Sequence, residues 1–188
     1  TGEEIAPGLV DDLTESVSEE ISATFTDYFP NVEQIQDVVE KQLVKKGLYE
    51  ISKAYILYRA ERERLKQYLD NGCVLFADAC CSSVPFDKSF RELAAALYPD
   101  KPLTRIPVTH ELYATKTGHD LRTVRRRGAD QTGGRGVISN AIITGEPLLE
   151  GIEIDGRYVV IYSKHDISCA LERQSAIACE GYVSEDAT

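Results

Sequence analysis

The chain contains no methionine, not even at its first position, and no tryptophan. A start other than Met reads as a chain that begins inside a longer reading frame or was processed, so an incomplete first segment is expected. Basic residues are missing from its first part: residues 1–40 hold eleven Asp or Glu and no Lys or Arg. That asymmetry, within a formal net charge of -10, repels phosphate backbones and argues against nucleic acid as a partner. The simplest reading of the acidic segment is a solvated face. No apolar run approaches the roughly eighteen residues of a membrane span, and the opening TGEEIAPG lacks the charged and apolar regions of a signal peptide. No membrane partner is expected, and a cytoplasmic location is. The five cysteines are odd in number, with two adjacent at Cys80 and Cys81. They make a poor disulfide framework and point to reduced thiols.

What remains is ordinary for a globular chain of 188 residues: 43% hydrophobic and 28% charged, enough for one full domain or for a small helical unit plus a second compact one. Val10, Leu13, Val17, Ile21 and Phe25 recur at helical spacing and predict a first helix over 9–25. Asn31 is placed to cap a second, with Gln34 at the capping-box position and Val32, Ile35, Val38, Val39 and Leu43 along it, ending at Gly47. A third helix from Leu48 carries the stripe Ile51, Tyr55, Tyr58, Leu65 and Leu69 and stops at Asn71-Gly72. These three predict a helical unit in which the tyrosines of GLYEISKAYILYRAERERL pack.

The second half reads differently. CVLFADACC is a short apolar run of the kind that forms a buried strand in a parallel sheet. FDKSFRELAAALYP spaces Phe86, Phe90, Leu93, Ala94 and Leu97 on one helical face, and a strand followed by a helix signals an α/β unit. LTRIPVTHELY reads as loop or short strand, with His110 and His119 exposed. RTVRRRGADQTGGRG reads as an exposed, mobile connection: its glycines Gly128, Gly133, Gly134 and Gly136 fit neither GxxxxGK[ST] nor a GxGxxG between strand and helix. LEGIEIDGRYVVIYS supplies two strands joined at Asp155-Gly156, the strongest hairpin signal in the chain. HDISCALERQSAIA opens another helix, and CEGYVSEDAT begins a further element.

The stretch VEQIQDVVEKQLVKKGLYEISKAYILYRAER closely resembles the last two helices of the ATP-cone, the nucleotide-sensing domain of ribonucleotide reductases and their transcriptional repressor. With the helix before it, the resemblance covers about residues 9–66. It implies an ATP or dATP site, with magnesium, whose occupancy regulates an attached domain. Gln36 and Arg59 fall near positions that can face the nucleotide, and Arg59 suits phosphate as a fixed cation with several donors. The basic, glycine-bearing cap of that family is missing from this sequence. The alternative for Arg59 is a solvated or salt-bridged arginine at a helix end. From about Leu65 onward the chain resembles an uncharacterised bacterial domain family whose fold looks like that of class I glutamine amidotransferases. This implies a flavodoxin-like, mostly parallel sheet with flanking helices, no established activity, and an end that is cut short. The expected organisation is therefore 1–66 and 67–188, the two resemblances meeting inside one helix, as in a fragment, an unusual fusion or a recombined sequence.

Ligand sites in open α/β sheets lie at the carboxyl ends of strands. Two stretches fall there: Asp78, Cys80 and Cys81 after the first strand, and His165, Asp166, Cys169 and Glu172 after YVVIYS. If the two strands are neighbours, Cys80 or Cys81 and His165 can meet as nucleophile and base, with Asp166 beside them. Against this, DACCSS lacks the glycine-flanked elbow of true amidotransferases. Cysteine is also often buried simply as a small apolar group, the simpler expectation for Cys80 and Cys81 and still more for Cys73 and Cys179. Cys80, Cys81, His165 and Cys169 are ligand types zinc accepts, but without a CxxC pair, and with adjacent cysteines awkward in a tetrahedral shell, no metal is expected. Asp166 reads most simply as the cap of the helix that follows it. Three functions stay open: a regulatory nucleotide-binding module, a non-catalytic domain that binds a protein or small molecule, and a cysteine-dependent hydrolase or transferase.

Overall fold

A computed structural model describes residues 8–114, 118–128, 142–173 and 180–187. Gly133, Gly134, Gly136 and Cys179 lie outside the described residues. The chain divides into two compact units, Thr1–Arg64 and Leu65–Thr188. No helix among the described residues is long and apolar enough to cross a membrane.

The first unit is built from α1 (Leu9–Thr24), α2 (Val32–Lys45) and the first part of α3 (Tyr49–Asp70). Helix α2 begins where the sequence predicts. Asn31 Oδ1 accepts from Gln34 N at 2.9 Å and Gln34 Oε1 accepts from Asn31 N at 3.0 Å, a complete capping box. Leu13, Val17, Ile21 and Phe25 are only half-buried, and α1 has no buried residue. Polar ties also join α1 and α2. Glu20 takes Lys41, Lys45 and Gln42, and Lys46 reaches Asp12. The predicted packing of the α3 tyrosines is corrected: Tyr49 and Tyr58 are exposed, Ile51 is too, and Tyr55 is half-buried. The buried member of that turn is Ser52, because the ionic face of α3, described below, is the one turned toward α2.

The second unit is α/β. Its main sheet has the order β1 (Leu75–Asp78), β6 (Arg157–Ser163), β5 (Leu149–Ile154), β2 (Thr104–Arg105); β3 (Val124–Arg127) and β4 (Ile142–Gly145) form a separate antiparallel pair. The expected α/β class is present, but the mostly parallel sheet is not. Among the described strands only β1 and β6 run parallel, while β5 pairs antiparallel with both β6 and β2. The reason is local. Asp155 and Gly156 take φ of 50° and 76°, the left-handed pair of a two-residue hairpin, which forces β5 and β6 to run in opposite directions. Strand β1 lies at the edge of the sheet and leaves Phe76 half exposed, so it is not the fully buried strand expected. The arginine-rich run expected to be a connection is β3, tied to Asp186 by Arg125. His110 is half-buried, its Nδ1 accepting from Leu112 N at 3.1 Å.

Helix α4 (Val84–Leu97) follows β1, capped by Ser83 Oγ and started by Pro85. Its Phe90, Ala94 and Leu97 join Leu69, Ile152, Val159, Val160 and Tyr162 in one core, with Phe90 and Tyr162 stacked at 4.4 Å between ring centroids. Short helices α5 (Ser168–Leu171) and α6 (Ser184–Ala187) close the described chain.

Candidate functional site

In the helical unit, Arg59 faces α2 with its side chain 11% exposed. Its Nη2 donates to Glu33 at 2.7 Å and its Nη1 to Asp37 at 3.0 Å and to Glu40. Burial alone disfavours its charge, but the three carboxylates outweigh this and hold the guanidinium more firmly protonated than usual. Its Nε is buried without a hydrogen-bond partner. Gln36 accepts from Arg62 Nη2 at 3.0 Å, not from Arg59. The two residues singled out in the sequence thus sit on the α2–α3 seam, Arg59 among three carboxylates and Gln36 bonded to Arg62.

In the α/β unit the site begins with register. Asp78, the last residue of β1, lies beside Ser163, the last of β6. The chain therefore leaves both strands at the same end, and residues 80–82 meet residues 165–169. Asp78 Oδ2 accepts from Ile167 N at 2.8 Å, Ser168 N at 2.9 Å and Ser168 Oγ at 3.0 Å, fixing the start of α5. Asp166, 1% exposed, accepts from Cys169 N at 2.8 Å through Oδ1 and from Cys81 N through Oδ2. The N-cap of α5 is Ile167 rather than Asp166; the Asp166 side chain instead bonds Cys169 N inside the first turn and joins the two segments. Cys81 and Ser82 adopt positive φ of 51° and 53°, uncommon for residues with a Cβ. This bend turns the thiols of neighbouring residues toward one point. The Sγ atoms of Cys80 and Cys169 are 3.7 Å apart, and the donor atoms of Cys80, Cys81, Asp166 and Cys169 all lie within 4.8 Å of one another.

His165 is turned to other partners. Its Nε2 faces Arg126 Nη1 at 3.2 Å and its Nδ1 faces Ser82 Oγ at 3.4 Å, while Ser82 Oγ donates to Glu180 O at 2.8 Å. An arginine can only donate, so Nε2 accepts and the proton is assigned to Nδ1. Burial, then the positive charges of Arg126 and Lys164, push the imidazole down to about 4 and keep it neutral. The cysteines are shifted the other way. The hydrogen bond to Asp166, then Cys80 and burial, push the Cys169 thiol up to about 12. Cys80 is lowered by its contact with Cys169, but the Asp166 carboxylate, Cys81 and burial outweigh this and raise it. A thiol nucleophile needs the opposite shift. Ser82 and Arg126, which orient His165, carry no local sequence signal; only the fold brings them there.

Beside this cluster, Phe76, Tyr113, Leu149, Ile161, Ile167 and Tyr182 line an apolar cavity of about 220 Å³.

Among curated proteins, the chain is 41% identical over 61 residues to the ribonucleoside-diphosphate reductase subunit alpha of Chlamydia pneumoniae. That stretch is 32% of this chain and 6% of the reductase subunit, so the chain spans a small fraction of that relative. No solved structure matches. One family model, Domain of unknown function (DUF4159), runs over residues 9–188, through the three helices and the α/β unit alike. The sequence reading divides these between two families, whereas the match treats them as one, and the chain belongs to the DUF4159 family.

Proposed function

We propose that the chain is a regulatory binding module whose helical unit takes an adenine nucleotide, ATP or dATP with magnesium, and whose α/β unit works without covalent chemistry. The observation that carries this is the 41% identity over 61 residues to a subunit named for its action on ribonucleoside diphosphates. Arg59 supplies the cation. Glu33, Asp37 and Glu40 surround the same guanidinium, so a bare triphosphate is repelled and magnesium is needed to screen it. The raised thiols and the engagement of His165 with Ser82 and Arg126 weigh against a cysteine hydrolase.

The test is the thermal midpoint with and without millimolar ATP or dATP, each with and without magnesium, and with magnesium alone. Nucleotide at about one hundred times its Kd stabilises by roughly 2.7 kcal/mol, a rise of roughly 5–10 °C at this chain length. The rise should vanish in Arg59→Ala and grow in Glu33→Gln. No shift with any nucleotide in the presence of magnesium overturns the proposal. A second reading, small-molecule binding by the α/β unit, is favoured by the apolar cavity. It predicts that anilinonaphthalene sulfonate binds the native chain and that Phe76→Ser weakens this; no binding to the native chain sinks it.

A further inference from the structure

We propose that Cys80, Cys81, Cys169 and Asp166 form a binding site for zinc in the α/β unit, independent of the nucleotide reading.

Zinc binds four tetrahedral ligands, with Zn–S near 2.3 Å. A regular tetrahedron of that radius has S–S edges of about 3.8 Å. Cys80 and Cys169 are already 3.7 Å apart, and every pair among the four donor atoms is within 4.8 Å. Closing the remaining edges takes side-chain rotation on the scale of an ångström, not backbone rearrangement. Three sulfurs and one carboxylate also select the metal: thiolates favour zinc and exclude magnesium and calcium, which take oxygen shells.

The surroundings fit a metal shell as well. The sequence-level objection to adjacent cysteine ligands is answered by the backbone, since the left-handed conformation of Cys81 brings both neighbouring thiols to one side. The fourth ligand is Asp166 rather than His165. Asp166 is buried and held by the backbone N–H groups of Cys81 and Cys169, the outer-shell support that fixes a ligating carboxylate. Cys80 and Cys81 are exposed, which leaves a path for the ion. The ligands come from the ends of β1 and β6, 85 or more residues apart in sequence, so a bound zinc would staple the two segments together.

The experiment uses the full chain, reduced and stripped of metal by chelator, and titrated with cobalt(II) as a spectroscopic substitute. The expected result is sulfur-to-cobalt charge-transfer absorption together with the visible bands of tetrahedral cobalt, saturating at a single equivalent and bleached by zinc. Cys169→Ser and Cys80→Ser should each weaken charge transfer and lower zinc affinity by more than roughly one-hundredfold, beyond the roughly 10–100-fold that an outer-shell change costs. Cys73→Ser should change neither. Absence of charge transfer in the wild-type chain overturns the proposal even if variants fold poorly. So does a band that persists unchanged in Cys80→Ser, Cys81→Ser and Cys169→Ser when circular dichroism confirms that they fold.

Discussion

Gly181→Ala perturbs the centre of the α/β unit through a single added carbon. A Cβ at this position would lie 2.6 Å from Asp166 O, 2.7 Å from Asp166 Cβ and 3.2 Å from Asp166 C. Ordinary contact begins near 3.4 Å, so Asp166 must retreat by about 0.8 Å. Backbone cannot yield as the tip of a side chain does. The two segments are also bridged here, with Tyr182 N donating to Asp166 O at 2.9 Å and Asp166 N to Glu180 O at 3.2 Å. Overpacking of this kind costs roughly 1–3 kcal/mol. The retreat also stretches the bonds from Cys81 N and Cys169 N to the carboxylate, and hydrogen bonds to a charged group contribute roughly 1.5–3 kcal/mol each. With those bonds weakened rather than lost, the expected total is about 2–4 kcal/mol. Gly145→Ala is the control: nothing lies within 4 Å of its added Cβ, and the change should stay within about 0.5 kcal/mol. Urea unfolding of both variants, followed by circular dichroism, compares them directly. If Gly181→Ala loses no more than Gly145→Ala, the tight seam at Asp166 is refuted.

Phe90→Ala empties the slot against Tyr162 in the main core, where Phe90 is 5% exposed; the loss should be about 3–5 kcal/mol by urea unfolding, with Phe90→Leu recovering much of it. Asn31→Ala removes one half of the capping box and should cost the helical unit about 1 kcal/mol in thermal unfolding, while Asn31→Asp stays near wild type. Glu20 gives a pH signature. Hydrogen bonds from Lys41 first, then Lys45, lower its carboxyl from 4.5 to about 2. A depressed carboxylate stabilises the fold above pH 4.5 and loses that contribution as pH falls toward 2. In acid titrations of helicity, the gap between wild type and Glu20→Gln should therefore narrow across that window; a constant gap counts against the ion cluster.

Elements whose causes are local were legible in the sequence, and those set by distant partners were not. The start of α2 follows from Asn31 and Gln34, α4 from its apolar spacing, and the β5–β6 hairpin from Asp155-Gly156. Each signal acts within a few residues. By contrast, Val124–Arg127 reads as a loop because three arginines mask it; it becomes a strand by pairing with β4 and by bonding Asp186 through Arg125. The α3 tyrosines mislead for the same reason. Periodicity says that one face packs, but the contest between an aromatic face and an ionic one is decided by the carboxylates of α2, which claim Arg59.

The α/β cluster marks the limit more sharply. Sequence alone selects the ends of two strands as the place to look and supplies a condition, that the strands be neighbours. The parallel pairing of β1 with β6 meets it. Which side chains then converge depends on two facts that no local pattern encodes. One is the register that sets Asp78 beside Ser163; the other is the left-handed bend at Cys81. A slip of one residue in that register would exchange inward and outward side chains along β1. It would also move the Asp78 carboxylate away from Ile167 N and Ser168 N, releasing the start of α5 on which Cys169 sits. The cluster thus depends on the hairpin turn that positions β6, the pairing that positions β1, and the Asp78 and Asp166 carboxylates that hold the two connecting segments together. Such dependence concentrates the cost of change at residues that do not themselves join the thiol cluster, which is why Gly181, silent in the sequence, is the sharper probe of it than any cysteine.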